Sequence, residues 1–243
     1  MQTMLLILLQ IQIVCLLVVI AKCNSLTAPP IRCPPDQASA LLELKNSFNT
    51  TGDNYTTFRS WVAGTDCCSW AGVRCSRTDG HVTSLNLGDH QLQANVLEPA
   101  LFRLTSLKHL DLSGNDFNMS QLPATGFEQL IELTYLDLSD TNFAGSVPAG
   151  ISHLKKLVYL DLSSSFDVVN FDNENKVIYF PSISTVWQLS VPNLESLLAD
   201  LTNLEELHLG MVNLSTNTWC DNLAKYNPKL KGYYPRQWVS SNP

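Results

Sequence analysis

One frame, L-x-x-L-x-x-L-x-L, recurs along the middle of the chain and leaves it few ways to fold. It appears as "LTSLKHLDL" from Leu104, "LIELTYLDL" from Leu130, "LKKLVYLDL" from Leu154 and "LTNLEELHL" from Leu201, with an earlier, worn copy in "HVTSLNLGDHQL" from His81. Its third leucine falls at Leu85, Leu110, Leu136, Leu160 and Leu207, in steps of 25, 26, 24 and 47 residues. The x-L-x-L portion alternates, so it reads as a short strand whose leucines share one face. A single such unit cannot bury its leucines. Stacked units bury them together in one continuous core.

A repeat of this frame with a period of 20–29 residues is identified as a leucine-rich repeat. The expected fold is an α/β solenoid, a leucine-rich-repeat superhelix with a parallel β-sheet on its concave face. Two ladders should face outward from that sheet: Ser84, His109, Tyr135, Tyr159 and Glu206 in one, and Asn86, Asp111, Asp137, Asp161 and His208 in the other. Aromatic residues on a polar face are frequent binding anchors. The candidate ligand-binding residues are therefore Tyr135 and Tyr159, with His109, Asp111, Asp137 and Asp161 around them. The three aspartates could be imagined as acid–base catalysts. They recur by construction, however, on an open face, and are expected to be a row of solvated carboxylates. His109 and His208 form no evident metal pair, and no phosphate loop or nucleophile motif is present. The chain is read as a binding module that is not an enzyme, with no cofactor and no metal.

The ends of the chain set the compartment. An apolar run from about Leu5 to Ala21, followed by small residues, reads as a secretory signal peptide over 1–23, although its first four residues carry no Lys or Arg. No later segment approaches the roughly 20 apolar residues of a membrane span. Sequons at Asn49, Asn54, Asn118 and Asn213 read as glycosylation sites in the same compartment. The formal net charge of −7, with no basic cluster, argues against a nucleic-acid partner. In an oxidising compartment Cys33, Cys67, Cys68 and Cys75 should form disulfides. Four cysteines allow three pairings. The pairing of adjacent Cys67 and Cys68 is disfavoured, because neighbouring Cα atoms about 3.8 Å apart fall short of the ~4.4 Å at which disulfides begin. No Cys-x2-Cys pair supports zinc.

Two stretches carry a more specific resemblance. Gly145-Ser146-Val147-Pro148 resembles the G-x-[I/V]-P signature of the plant extracellular leucine-rich-repeat class, which adds a second short strand on the outer side of each coil. "CPPDQASALLELKNSF", followed by "FRSWVAGTDCCSWAGVRCS", resembles the N-terminal cap of plant receptor-like kinases and receptor-like proteins. Within the first of these, Asp36 reads as the N-cap of a short helix with Ala38, Leu41, Leu42, Lys45 and Phe48 along one side. The resemblance implies disulfides Cys33–Cys67 and Cys68–Cys75, rings that the loop-entropy model rates at about 3.8 and 2.5 kcal/mol. It also places Trp70 over the open end of the first coil. It is nearest to receptor-like proteins tied to pathogen defence, and runs from about Cys33 to Leu230.

The division expected is signal peptide 1–23, cap 24–80, about five repeats over 81–217 with an insertion near 166–193, and a degenerate or truncated tail at 218–243. The asparagine that follows the strand in this class is present only at Asn115; His90, Thr141, Ser165 and Val212 take its other places, and some loosened coils are expected. The 47-residue step is either a degenerate repeat or a loop set into a long coil. The frame breaks in the tail, where the inward places fall at Tyr233 and Pro235, and Cys220 has no evident mate. The function implied is ligand recognition by a cell-surface receptor-like protein, with a peptide, glycan or protein ligand and a co-receptor, outside the cell or at the plasma membrane. The alternative is a secreted protein resembling polygalacturonase inhibitors, or a soluble decoy or co-receptor.

Overall fold

The computed structural model describes residues 4, 9–16, 31–49, 57–164, 169–171, 177–179, 189–214 and 229–234. The chain divides into two compact units, Met1–Ile31 and Arg32–Pro243. In the first, residues 9–16 are helical, with Leu9, Ile11, Ile13, Val14 and Leu16 exposed. No helix among the described residues is long and apolar enough to cross a membrane. Most of the proposed signal peptide, along with Cys23, Asn54, Ser165 and Cys220, lies outside the described residues.

The second unit is built on a seven-stranded sheet. Its strands are β1 (Val73–Cys75), β2 (Val82–Asn86), β3 (His109–Asp111), β4 (Tyr135–Asp137), β6 (Tyr159–Asp161), β10 (Glu206–His208) and β12 (Gly232–Tyr234). From β2 onward every pairing is parallel and in the register of the leucine frame: Leu85 lies beside Leu110, then Leu136, Leu160 and Leu207. Each of these five leucines is wholly buried, within one continuous apolar core. The sheet pairing carries on past the strands, since Leu112 N–H donates to Asp137 O and Gly114 N–H to Ser139 O, with equivalents in the next two coils.

An outer sheet forms on the opposite side of the coils. β5 (Gly145–Ser146), which carries the G-x-V-P signature, pairs parallel with β9 (Leu189–Val191), and β9 pairs with β11 (Asn213–Leu214). β6 and β10 are direct neighbours, Tyr159 beside Glu206, so the 47-residue step adds no strand to the concave sheet. Within that step lie a two-stranded antiparallel hairpin, β7 (Val169–Phe171) with β8 (Val177–Tyr179), then β9 and a short helix, Leu194–Leu198, capped by the Asn193 side chain. Of the tail, residues 229–234 are described. β12 pairs with β10 and sets Tyr233 beside Leu207, so the register continues where the leucine frame stops. Parallel pairing uses main-chain groups, which do not need a leucine.

The cap is held by its two disulfides, Cys33–Cys67 and Cys68–Cys75, each with Cα atoms 5.5 Å apart. The adjacent cysteines thus tie two segments at one point. Asp66 secures that point: its Oδ1 accepts from Cys68 N–H at 3.1 Å and from Cys33 N–H at 3.0 Å. The cap helix spans Pro35–Ser47 with Pro34, not Asp36, at the N-cap; Asp36 sits in the first turn, where a negative charge complements the helix dipole. Its buried residues are Gln37, Ala40, Leu41 and Leu44, rotated from the expected stripe so that Leu42 and Lys45 lie at the margin. The rotation lets Gln37 Oε1 accept from Val82 N–H at 2.7 Å, joining the helix to the first parallel strand. Trp70 is buried as expected, but stacked on a second buried indole, Trp61, at 5.3 Å between ring centroids. Contacts from Trp61 through Phe58, Phe48 and Phe117 to Phe143 link the cap to the third coil.

Asn115 is the polar counterpart of this apolar stacking. Its Nδ2 donates to Leu87 O (2.7 Å) and Leu112 O (2.8 Å), while its Oδ1 accepts from Leu92 N–H (2.8 Å). It therefore satisfies main-chain groups of two coils. Thr141 reaches only its own coil, donating to Leu138 O at 2.6 Å. A cavity of about 40 Å³ lies beside Thr141 and Val212, two of the places that lack the asparagine. Replacing Asn115→Ala would strand the carbonyls of Leu87 and Leu112 and the N–H of Leu92. At about 1 kcal/mol or more for each buried group left unsatisfied, a loss of roughly 3 kcal/mol is expected in chemical denaturation. A loss below about 1 kcal/mol would show that water replaces the side chain.

Candidate functional site

The concave residues of β3, β4, β6 and β10 are positioned by the strand register alone. Parallel strands stand about 4.8 Å apart, so chemically equal residues on successive coils are forced into contact. Tyr135 and Tyr159 stack face to face, with centroids 4.4 Å apart and planes at 6°. His109 continues the stack onto Tyr135 at 4.2 Å and 18°. His208 closes the other end against Tyr159, at 5.3 Å and a tilt of 39°. His208 belongs to the aspartate ladder by register, so the stack steps sideways where Glu206 replaces a tyrosine.

The aspartates are not the solvated row that their spacing implies. Asp137 and Asp161 are each only 8% exposed. Every one of their carboxylates is held within its own coil. Asp137 Oδ1 accepts from Ser139 N–H (2.9 Å) and Ser139 Oγ–H (2.6 Å), while its Oδ2 accepts from the Tyr135 hydroxyl (3.1 Å). Asp161 repeats the arrangement with Ser163 (2.8 and 2.6 Å) and Tyr159 (3.2 Å). Asp111 has Ser113 at 3.1 and 2.7 Å, and Asn86 Nδ2 in the tyrosine's place at 3.1 Å. The unit is therefore Y-L-D-L-S, in which residues two before and two after the aspartate share its face of the strand and close over it. The serines were legible as the recurrent "LDLS" but were not singled out as functional.

Electrostatics follow from that burial. Desolvation, opposed by the Ser139 bonds and reinforced by Asp161 and Asp111, pushes the Asp137 carboxyl up from its ordinary value. Desolvation and the adjacent carboxylates push the Tyr135 and Tyr159 phenols well up, so both stay protonated. Burial also lowers the His109 imidazole, with Arg74 adding to the effect against the pull of Asp111. His208 faces Asp161 at 3.9 Å and Glu206 at 3.8 Å. The structure thus brings His109, Asp111, Tyr135, Asp137, Tyr159 and Asp161 into one strip. Of the sequons, Asn49, Asn118 and Asn213 are exposed, the last on an edge strand of the outer sheet. Three cap cysteines, Cys33, Cys67 and Cys68, bring their sulfurs within 4.8 Å of one another, and all three are committed to disulfides.

Residues 34–76 match the family model of the leucine-rich-repeat N-terminal domain, and residues 80–143 that of the leucine-rich repeat. Receptor-like protein 9DC1 of Solanum pimpinellifolium is 37% identical over 202 residues, covering 77% of this chain and 21% of the relative. The chain belongs to the plant leucine-rich-repeat receptor-like proteins. It spans about a fifth of the length of the curated relatives it matches. Among solved structures, a plant ice-binding protein superposes with a TM-score of 0.63 at 26% identity, over 84% of this chain and 57% of its own. The Arabidopsis receptor kinase HAESA, solved with the peptide hormone IDA and the co-receptor SERK1, superposes with a TM-score of 0.60 at 25% identity, over 83% of this chain and 30% of its own.

Asp137 supplies a test of the strip's electrostatics through its charge. Because burial raises its folded-state pKa, the ionised carboxylate is less favoured in the fold than in the unfolded chain. Stability tied to its proton is complete below about pH 3 and declines as pH rises through the raised value. Asp137→Asn carries no such charge, so its melting temperature relative to the wild type should climb between pH 3 and pH 7. A difference that stays flat or falls would mean that the Ser139 and Tyr135 bonds fully offset the burial.

Proposed function

We propose that this chain is an extracellular ligand-recognition segment of a cell-surface receptor-like protein, that its ligand lies along the concave strip, and that it serves pathogen perception together with a co-receptor. The observation that carries the reading is the strip itself. Four rings and the carboxylates beside them run unbroken across four coils, including the junction at the 47-residue step. A fold needs only the buried leucines; it does not need tyrosines stacked outward on the hollow side. The named relatives favour a receptor over a secreted enzyme inhibitor or decoy, and the HAESA complex offers the precedent of a peptide ligand with a co-receptor.

The test is a graft. Residues 31–214 replace the matching segment of a receptor-like protein expressed in leaf tissue, and ion leakage is measured after challenge with pathogen culture fluid. A response that appears with the graft and is lost in its Tyr135→Ala/Tyr159→Ala form, at equal surface abundance, is expected. A response indifferent to the two tyrosines would remove the concave strip from recognition.

A further inference from the structure

The turn that follows β3 holds a sequon, Asn118-Met119-Ser120, which the folded coil keeps in a fixed shape. Asn118 and Met119 both take left-handed backbone, with φ of 53° and 56°. That conformation is unfavourable for a residue with a side chain, methionine above all, and persists only where its surroundings impose it. Three main-chain bonds, each of 2.9 Å, impose it here: Phe117 N–H donates to Thr141 O, Met119 N–H to Asn142 O, and Ala144 N–H to Ser120 O. The Asn118 amide is engaged as well, its Nδ2 donating to Asn95 Oδ1 of the preceding coil at 2.9 Å.

The Ser120 hydroxyl does nothing for the fold. Its oxygen is out of reach of solvent and, among the described residues, has no hydrogen-bond partner. A buried hydroxyl without a partner is a net cost, and alanine would fill the place without it. Sequon chemistry gives the hydroxyl a use, because the acceptor for N-linked sugar is an asparagine amide read together with the hydroxyl two residues on. The folded coil does not present that pair: Asn118 is exposed while the Ser120 hydroxyl is buried. The two can be read together only in a chain whose coil is still open.

Order of synthesis supplies that state. The partners that lock the turn, Thr141, Asn142 and Ala144, all belong to the next coil, 23 or 24 residues further along. At about 5–20 residues per second they follow the sequon by about 1 to 5 s. Resting on the extracellular reading above, we propose that Asn118 carries an N-linked oligosaccharide added in this interval, and that docking of the next coil ends its use as an acceptor. In the transfer, Asn118 Nδ2 attacks the anomeric carbon of a lipid-pyrophosphate-linked oligosaccharide. The N–C bond forms, the C–O bond to pyrophosphate breaks, the lipid pyrophosphate leaves, and one amide proton passes to the transferase. One N–H remains for Asn95 Oδ1, and the exposed Asn118 leaves room for the sugar. The folded coil thus accepts the product of the reaction but not the reaction itself.

The whole chain is expressed in plant cells, with and without an inhibitor of donor synthesis, and Asn118 is read by glycopeptide mass spectrometry. Chain secreted from untreated cells should carry sugar at Asn118 in most molecules. Sugar-free chain from treated cells is then given to purified oligosaccharyltransferase and donor in two forms, one native and one reduced, alkylated and unfolded. The acetylated, amidated tripeptide Asn-Met-Ser reports in each tube that the enzyme works. The unfolded form should be modified at Asn118 at least tenfold faster than the native form; equal rates, or no modification of either, overturn the inference. If the sugar-free chain does not fold, timing in cell-free synthesis with microsomes decides. A transferase block added once the chain is complete should leave Asn118 occupancy unchanged, and occupancy that a late block still lowers overturns the inference. A secreted chain with Asn118 bare sinks this inference alone, whereas a chain that never enters the secretory pathway sinks the extracellular reading with it.

Discussion

Main-chain pairing between successive coils is the constraint on which everything else depends. It fixes the coils at one strand spacing and in one register, so whatever the sequence repeats, the fold stacks. Leucine on leucine yields a core. Tyrosine on tyrosine yields a ring stack. Aspartate on aspartate puts like charges within one strand spacing, which by itself destabilises a sheet. The serine and tyrosine on either side of each aspartate are the local answer to that conflict. Their four donors across two coils hold the carboxylates of Asp137 and Asp161 in a setting that is mostly out of water.

The described sheet has different neighbours at its two edges. At the N-terminal end a helix, two disulfides and a run of aromatic side chains close over the first coil. The joint depends on Asp66, whose one oxygen gathers the N–H groups of Cys33 and Cys68. At the other end of the described sheet, β12 adds main-chain pairing beyond β10. Between them, buried Asn115 bonds main-chain groups of two coils, and a small cavity lies where Thr141 and Val212 stand in the equivalent places.

The solenoid, the register and the concave ladders were legible because they follow from period alone: Leu85 to Leu207 name the buried row, and the residues beside them name the exposed one. The disulfide pairing needed the family resemblance, since spacing left it open. What period could not show was how side chains of one strand treat each other. The aspartates looked solvated because alternation assigns them to the open face; Ser139 and Tyr135 close over Asp137 from two residues away, a contact visible only once rotamers are placed. The cap helix was misphased for a related reason. Buried Gln37 is polar, and hydropathy gave no hint that its amide would meet Val82 N–H. At Tyr233 the spacing named the inward place although the leucine was gone, and main-chain pairing with β10 keeps the register there.

The carboxylates of Asp137 and Asp161 find their partners two residues away in their own coil, whereas the flank carboxylates find theirs one coil away, Glu132 with Lys156 and Glu205 with Lys231. Each of these two coils thus carries its share of the concave strip as a self-contained piece. Duplicating or exchanging a coil such as those of Tyr135 and Tyr159 leaves its Y-L-D-L-S unit internally satisfied. The record of which coil belongs next to which lies elsewhere, in the Asn115 bonds to the preceding coil, in the Phe117–Phe143 stack and in exposed flank pairs of small energetic weight.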